Sequence, residues 1–163
     1  MPEGPAVEVA VAEWTADRAA LEAVRRAVFI LEQGIPEADE WDAADAVATH
    51  VLARLNRDPV GTGRLEATGK IGRLAVLEAA RGLGIGGLVL GQLLGLARER
   101  GFKEVFLNAQ VSAIGFYGAY GFVAEGPEFD EAGIRHRRMR LAFSAEQRAD
   151  PPAHGRAHRA RDR

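Results

Sequence analysis

The stretch Arg81–Gly101, RGLGIGGLVLGQLLGLARERG, is the feature that most constrains how this chain can fold. It contains seven glycines, and four of them fall within its first seven residues. Glycine in a helix interior costs about 1 kcal/mol relative to alanine, yet the leucine spacing of the later residues is typical of a buried helix. The segment before it, Lys70–Leu77, has the composition of a strand. The sequence therefore predicts a strand, a glycine-rich turn and a helix in succession.

The start of this helix is predicted to bind an anion. The first backbone N–H groups of a helix have no partner within it, and they lie at the positive end of its dipole. A phosphate can bind there where no side chain blocks its approach. Gly82, Gly84, Gly86 and Gly87 leave that approach open, and Arg81 adds a positive charge.

Two common nucleotide-binding motifs do not match this turn. A P-loop requires Gly-Lys followed by Ser or Thr, and Arg81–Gly87 contains neither lysine nor a hydroxyl. A Rossmann fingerprint opens the first helix with G-x-G-x-x-G, whereas GLGIGG has another spacing and follows the third strand of a meander. The remaining pattern is R-G-x-G-I-G after a strand of the form L-x-V.

Hydrophobic periodicity along the chain predicts a mixed α/β fold of order β-α-β-β-β-α-β-α-β-β. Thr15 is a candidate N-cap for the first helix, and Gly101 suits the position after the end of the second. The unit Lys70–Asn108 is expected to place two strands in parallel through a right-handed crossover, within a mostly antiparallel sheet. The predicted strands are Ala6–Glu13, Val47–Leu55, Val60–Thr68, Lys70–Leu77, Lys103–Gln110, Gly121–Gly126 and Ile134–Phe143.

Length and composition favour one intracellular domain. The 163 residues suit a single domain over residues 1–143, and residues 144–163 are expected to form a disordered arginine-rich tail. A net charge of −2 argues against a nucleic-acid binder. The chain has no cysteine and hence no thiol nucleophile or cysteine metal site. Short apolar runs and the absence of a signal-like N-terminus favour a cytoplasmic protein without a membrane partner.

Four segments resemble the GNAT superfamily of acyl-CoA N-acyltransferases. LAVLEAARGLGIGGLVL is similar to its acetyl-CoA signature, and LNAQVSAIGFYGAYGF to its second signature, with a tyrosine four residues before Gly-Phe. RRAVFILEQGIPEADEWDAADAVATHVLAR and FDEAGIRHRRMRL resemble the ElaA-like subgroup, although Arg135 replaces the proline usual there. The resemblance covers about residues 7–143 and implies a GNAT fold.

The resemblance implies that two parallel strands, Ile71–Leu77 and Val105–Asn108, splay apart around the pantetheine arm of acetyl-CoA. The arm would pair with the backbone of the first strand, and an N–H near Val76 would stabilise the oxyanion. Asn108 is expected either to bind pantetheine or to satisfy backbone groups at the splay. The donor-binding set implied in this way is Leu74, Ala75, Val76, Arg81, Gly82, Leu83, Gly84, Ile85, Gly86, Gly87, Asn108 and Tyr117.

Transfer without cysteine or a metal suggests direct attack by an amine, with Tyr117 as general acid for the thiolate. Tyr117 matches the superfamily's acid, and tyrosine stays protonated at neutral pH because its usual pKa is about 10. Tyr120 is expected to pack at the helix end.

The general base and the acceptor pocket are less constrained. Glu32 lies in a segment resembling the subgroup's Val-Glu-Gln and is a candidate base, with His50 and Glu78 as alternatives. The segment from Glu32 to Asp45 has six carboxylates and no basic residue, so it is expected either to attract a cationic amine or to be a solvated loop. Glu32, His50, Arg64 and His136 are candidate acceptor-binding residues, with Arg138 as a further one.

The sequence thus predicts an N-acetyltransferase that uses acetyl-CoA and no metal, acts on a small-molecule or peptide amine, and is a monomer or homodimer. Two alternatives stay open. One is an acyltransferase like the acyl-homoserine-lactone synthases, which the segment from Arg25 to Asp45 also resembles. The other is a non-catalytic acyl-CoA-binding sensor.

Overall fold

The computed structural model describes residues 6–148, which form strands and helices in nearly the predicted order. The strands are β1 (Val7–Ala12), β2 (Thr49–Leu55), β3 (Asp58–Leu65), β4 (Ile71–Val76), β5 (Glu104–Gln110), β6 (Val123–Glu131) and β7 (Ile134–Ala142). The helices are α1 (Arg18–Arg25), α2 (Glu37–Glu40), α3 (Ile85–Glu99) and α4 (Ile114–Gly118), and α1 continues as a π-helix over Arg26–Glu32. The periodicity did not predict the short helix α2 or the 3₁₀ turn Ala43–Ala46 that follows it.

The strands form two antiparallel sheets that meet at one point. β1, β2, β3 and β4 lie side by side in chain order, and β7 lies between β5 and β6. β4 and β5 are parallel, and Lys70, the residue before β4, forms a bridge with Phe106 of β5, whose N–H donates to the Gly69 carbonyl over 3.1 Å. Within residues 6–148 the two strands form no further ladder, so they diverge toward Val76 and Gln110. The predicted mixed sheet with a splayed parallel pair is confirmed.

Helices cover both faces of the first sheet. On one face, α3 packs Val89, Leu90 and Leu93 into the main core, and all three are fully buried. On the other face, α1 and its π-helical extension place Val24 and Phe29 against Ala75 of β4. Burial of an aliphatic side chain stabilises a fold by about 1.5–3 kcal/mol, so these two layers hold β4 in place from both sides.

The predicted first helix and the tail differ from the structure. The helix begins at Arg18 after Asp17 and is not capped by Thr15. The Asp17 carboxylate accepts a hydrogen bond from the Glu13 N–H over 2.9 Å, so it closes the turn that precedes the helix. Of the predicted tail, residues 144–148 are described and contain a short 3₁₀ turn, Ala145–Gln147. The rest of the tail prediction lies outside the described residues.

Candidate functional site

The turn before α3 leaves the start of that helix unobstructed. Gly82 and Gly84 have φ of 85° and 79°, a left-handed conformation that side chains other than glycine disfavour. A Cβ at either position would have no other atom within 4 Å, so the space above the turn is open. Gly84 is the N-cap of α3 and offers no side chain to its N–H groups. These features fit a diphosphate bound by backbone amides.

The other two glycines of the turn have a different environment. A methyl group at Gly87 would overlap the Tyr120 hydroxyl, which lies against the first turn of α3. At Gly86 a methyl group would meet Phe116 at 3.6 Å and Val76 at 3.7 Å, which are ordinary contacts. The absence of a side chain at Gly87 therefore leaves room for the Tyr120 hydroxyl, a contact that has no signal in the sequence.

Arg81 is held by an ion pair with Glu32 at the end of the π-helix. Its Nη1 and Nη2 donate to Oε2 and Oε1 over 2.7 and 2.6 Å, and its Nε donates to the Val76 carbonyl over 3.0 Å. The hydrogen bonds from Arg81 lower the pKa of Glu32. This ion pair thus joins two predicted site residues, the donor-side arginine and the candidate base.

β4 contains a bulge just before the strand opening. In its pairing with β3, Gly72 lies opposite Arg64 and Ala75 lies opposite Thr62, so β4 has one extra residue between these positions. Arg73 has φ of 53°, which costs a non-glycine residue about 1–2 kcal/mol. The bulge directly precedes the backbone of Leu74, Ala75 and Val76, the predicted pantetheine-binding segment.

Tyr117 lies on α4, packed against the main core. Its ring makes edge contacts with Phe116 and Phe122, at centroid distances of 5.1 and 5.8 Å. Burial raises the pKa of Tyr117 to about 12. Among residues 6–148 its hydroxyl has no hydrogen-bond partner, so it can donate to a ligand.

A glutamine pair connects the π-helix with the end of β5. Gln110 Nε2 donates to Gln33 Oε1 over 2.9 Å. Two residues before Gln110, Asn108 Nδ2 donates to Glu131 Oε1 over 3.4 Å. The Gln33–Gln110 contact was not foreseen, because the two residues are 77 positions apart and each is ordinary in its own segment.

The candidate acceptor residues His50 and Arg64 are buried beneath α1. His50 Nε2 lies 2.8 Å from the Asp45 carbonyl, its ring stacks on Trp14, and burial lowers its pKa. Arg64 Nη1 donates to the carboxylates of Asp42 and Asp45 over 2.8 and 2.6 Å. The acceptor role assigned to both stays a prediction, and this packing favours a structural one.

Buried arginines also hold the acidic segment. Arg25 is fully buried, and it donates to the carboxylates of Glu40 and Asp45 over 2.8 and 2.6 Å. Within the described chain, five of the six carboxylates between Glu32 and Asp45 pair with arginines, and Asp39 is the exception. Most of the negative charge expected to attract an amine is therefore paired with arginines of the protein itself.

The remaining candidate site residues lie on β7 and in the turn after β4. On β7, His136 is nearly buried, with Nδ1 2.7 Å from the Ile134 carbonyl. The Arg138 guanidinium lies 4.2 Å from the centre of the Phe106 ring. Glu78 is exposed in the 3₁₀ turn Glu78–Ala80 after β4.

Residues 6–148 contain neither a metal-binding cluster nor a membrane-spanning helix. No group of three or more His, Asp or Glu side chains there is placed to hold a metal ion. None of the helices in this part of the chain is both long and apolar enough to cross a membrane.

Comparison with known proteins agrees with this geometry. The family model described as acetyltransferase (GNAT) domain matches residues 16–143. YyaT of Bacillus subtilis (strain 168) is 37% identical over 127 residues, which are 74% of this chain and 86% of YyaT. An acyl-CoA N-acyltransferase from Pseudomonas aeruginosa has 30% identity and a TM-score of 0.74, over 84% of this chain and all (100%) of the other.

The ElaA-like resemblance is also confirmed. ElaA of Escherichia coli (strain K12) is 31% identical over 128 residues, which are 74% of this chain and 84% of ElaA. The crystal structure of Escherichia coli ElaA superposes with a TM-score of 0.74, over 83% of this chain and 99% of the other. With its splayed strands and its open glycine turn, the chain belongs to the GNAT family of acetyltransferases.

Proposed function

We propose that this protein transfers the acetyl group of acetyl-CoA to a primary amine by direct attack while both substrates are bound. The observation that supports this most is the opening between β4 and β5, which adjoins the unobstructed turn before α3. The first can take an extended pantetheine arm and the second a diphosphate. Since acyl-CoA is an intracellular metabolite, the proposal includes a cytoplasmic location.

The donor-binding roles fall mainly on the backbone. Leu74, Ala75 and Val76 would pair with the pantetheine arm as an added strand, and the N–H near Val76 would stabilise negative charge on the acyl oxygen. Asn108 would bind the arm from the other side of the opening. The backbone amides that would bind the diphosphate are those of Leu83, Gly84, Ile85, Gly86 and Gly87.

Arg81 has two competing partners in this proposal. In the structure, Arg81 pairs with Glu32. A bound diphosphate would present a stronger negative charge to Arg81 at the adjacent turn. Both side chains are partly exposed, at 42% and 37%, and ion pairs of this kind contribute only about 0–1 kcal/mol. Arg81 would therefore turn to the donor and release the Glu32 carboxylate toward the acceptor.

Glu32, once released, would bind the ammonium group of the acceptor and remove its proton. Its lowered pKa in the ion pair makes it a weak base there, so the base role depends on the movement of Arg81. We further propose that His50 and Arg64 hold the acidic segment in place from below, while His136 lines the acceptor side on β7.

Tyr117 would donate to the thiolate as the carbon–sulfur bond breaks. Its raised pKa keeps the phenol protonated. A phenol with a pKa of about 12 does not fully transfer its proton to a thiolate whose conjugate thiol has a pKa of about 8.5. Tyr117 would therefore act mainly by a hydrogen bond that strengthens as charge develops on sulfur.

The test is CoA release from acetyl-CoA in the presence of polyamines, amino acids, amino sugars, aminoglycosides and lysine peptides, for wild type and Tyr117→Phe. We expect turnover with at least one amine and a rate about 100–1,000-fold lower in Tyr117→Phe, the usual cost of losing one hydrogen bond that strengthens in the transition state. Tyr120→Phe is the matched control, since it removes the same atom from the neighbouring tyrosine.

Other outcomes identify the alternatives. Binding of acetyl-CoA without acetylation of any amine would favour an acyl-CoA sensor. Transfer from an acyl-carrier protein but not from acetyl-CoA would favour chemistry like that of the acyl-homoserine-lactone synthases. Failure to bind acetyl-CoA would contradict the proposal.

A further inference from the structure

Arg73 differs from the other residues that have a left-handed backbone. Among residues 6–148, the non-glycine residues with positive φ are Asn56, Arg57, Arg73 and Ala132. Asn56 and Arg57 form the β2–β3 turn, and Ala132 lies in the β6–β7 turn, where this conformation is common. Arg73 instead lies inside β4, so its strained conformation needs support from elsewhere in the fold.

The side chain of Arg73 supplies that support by binding the segment around α2. Its Nε and Nη2 donate to the backbone carbonyl of Glu40 over 3.2 and 2.9 Å. Its Nη2 also donates to Asp42 Oδ2 over 3.2 Å, and its Nε lies 3.2 Å from Glu40 Oε2. A single guanidinium thus fixes the bulge of β4 to Glu40 at the end of α2 and to Asp42 two residues later.

The partner of Arg73 is itself rigidly held. Glu40 is nearly fully buried, and Arg25 donates to both its carboxylate and its backbone carbonyl, over 2.8 and 2.9 Å. The Arg25 guanidinium lies 4.9 Å from the centre of the Trp41 ring. Arg73 is therefore anchored to a buried cluster and not to a mobile surface loop.

The bulge determines which way the end of β4 faces. A bulge turns the following residues relative to the neighbouring strand, and the residues that follow here are Leu74, Ala75 and Val76 at the opening between β4 and β5. We propose that Arg73 is a positioning residue, which fixes the β4 bulge through Glu40 and Asp42 and so aims these amides at the acyl group. This inference rests on the proposed function, because it assigns Arg73 a part in the same reaction.

The test compares Arg73→Gly with Arg57→Gly. Glycine adopts positive φ without strain, so Arg73→Gly leaves the bulge sterically allowed and removes only its anchor. Arg57→Gly is a matched control, since it replaces an exposed arginine with φ of 78° in a turn. Arg73→Lys keeps the charge and one donor but loses the planar fork, and it serves as the second variant if Arg73→Gly does not fold.

Two readouts are measured, the kinetics and the amide hydrogen exchange of Leu74–Val76. For Arg73→Gly we expect kcat to fall between about tenfold and a hundredfold, because small displacements at a reaction centre have effects of this size. Exchange at these amides should become at least about tenfold faster, as a locally released strand opens more often. In both kcat and amide exchange, Arg73→Lys should lie between wild type and Arg73→Gly. Arg57→Gly should match wild type in both readouts.

A lower Tm of Arg73→Gly with kcat and exchange equal to wild type would overturn the proposal, since Arg73 would then be only a stabilising residue. The exchange readout does not depend on turnover. If wild type acetylates no amine, the proposed function fails, while faster exchange in Arg73→Gly still supports the anchoring role and unchanged exchange overturns it.

Discussion

Arg81 and Glu32, which are 49 positions apart, form a bidentate ion pair between the glycine turn and the end of the π-helix. The pair joins the predicted donor site to the predicted acceptor side, because one residue belongs to each. A diphosphate bound at the turn would compete with Glu32 for Arg81. Donor binding and release of the Glu32 carboxylate are therefore expected to be coupled.

Glu32→Gln tests this coupling. Removing the competing carboxylate should tighten acetyl-CoA binding by up to about fivefold, which corresponds to an exposed ion pair of about 1 kcal/mol. The same change should lower kcat/KM for the amine by at least about a hundredfold if Glu32 is the general base. Calorimetric titration with acetyl-CoA and steady-state kinetics measure the two effects separately.

Glu37→Gln is the control for this substitution. Glu37 is an exposed acid of the same segment, and it pairs with Arg26 at 2.7 Å away from the turn. We expect the affinity for acetyl-CoA and the kcat/KM for the amine to equal those of wild type. Weaker acetyl-CoA binding in Glu37→Gln and Glu32→Gln alike would contradict the competition between Glu32 and the diphosphate.

Gly87→Ala tests the packing of Tyr120 on α3. In a helix interior alanine is favoured over glycine by about 1 kcal/mol, but here the new methyl group overlaps the Tyr120 hydroxyl. In Tyr120→Phe the nearest atom would be the ring carbon, at an ordinary 3.5 Å. Gly87→Ala should therefore be more favourable in the Tyr120→Phe background by up to about 1 kcal/mol, as measured by urea unfolding in a double-mutant cycle.

The control on the same helix is Gly91→Ala. A Cβ at Gly91 would meet no atom within 4 Å, so this substitution should stabilise the protein by up to about 1 kcal/mol in either background. A coupling of Gly87 with Tyr120 no larger than that of Gly91 would refute the steric explanation.

The strand order and the glycine turn were predictable because each depends on local sequence. The alternation of β2 and the spacing of α3 are visible within a few residues, and so is the run of glycines between β4 and α3. The splay of β4 and β5 came from the resemblance to a family. The extra residue in β4 had no local signal, since Arg73 gives no indication of positive φ.

The charge of the acidic segment was harder to interpret from sequence. Between Glu32 and Asp45 the chain contains only acids, and the arginines that neutralise them come from elsewhere. Arg25 precedes the segment on α1, while Arg64 and Arg73 belong to strands that follow it. Such pairs form only through tertiary contacts, so the sequence of this segment does not show that arginines elsewhere in the chain neutralise most of its acids.

Asp42→Asn tests how these ion pairs respond to acid. Hydrogen bonds from Arg64 lower the pKa of Asp42 to about 2. A carboxylate whose pKa is lower in the folded state stabilises the fold above its unfolded pKa of about 4, and this contribution disappears as the pH falls toward the folded value. Wild type should therefore exceed Asp42→Asn in Tm at pH 6, and the difference should shrink below about pH 4.

Thermal unfolding of Asp39→Asn serves as the comparison. Asp39 is exposed in the same segment and forms no ion pair with any residue between 6 and 148. Its variant should follow the wild-type profile at every pH. If the difference in Tm between wild type and Asp42→Asn stays constant from pH 6 to pH 2.5, Asp42 stabilises the fold through something other than its charge.

The pH dependence of turnover tests the state of Tyr117. The profile of kcat/KM for acetyl-CoA reports groups of the free enzyme, in which burial raises the pKa of Tyr117 to about 12. Ionisation of Tyr117 should therefore cause no loss of kcat/KM between pH 7 and about pH 10. A descending limb in that range, present in wild type and Tyr120→Phe but absent in Tyr117→Phe, would mean that Tyr117 ionises more easily than its packing against Phe122 implies. Because the chain has only two tyrosines, these two variants suffice to assign the limb.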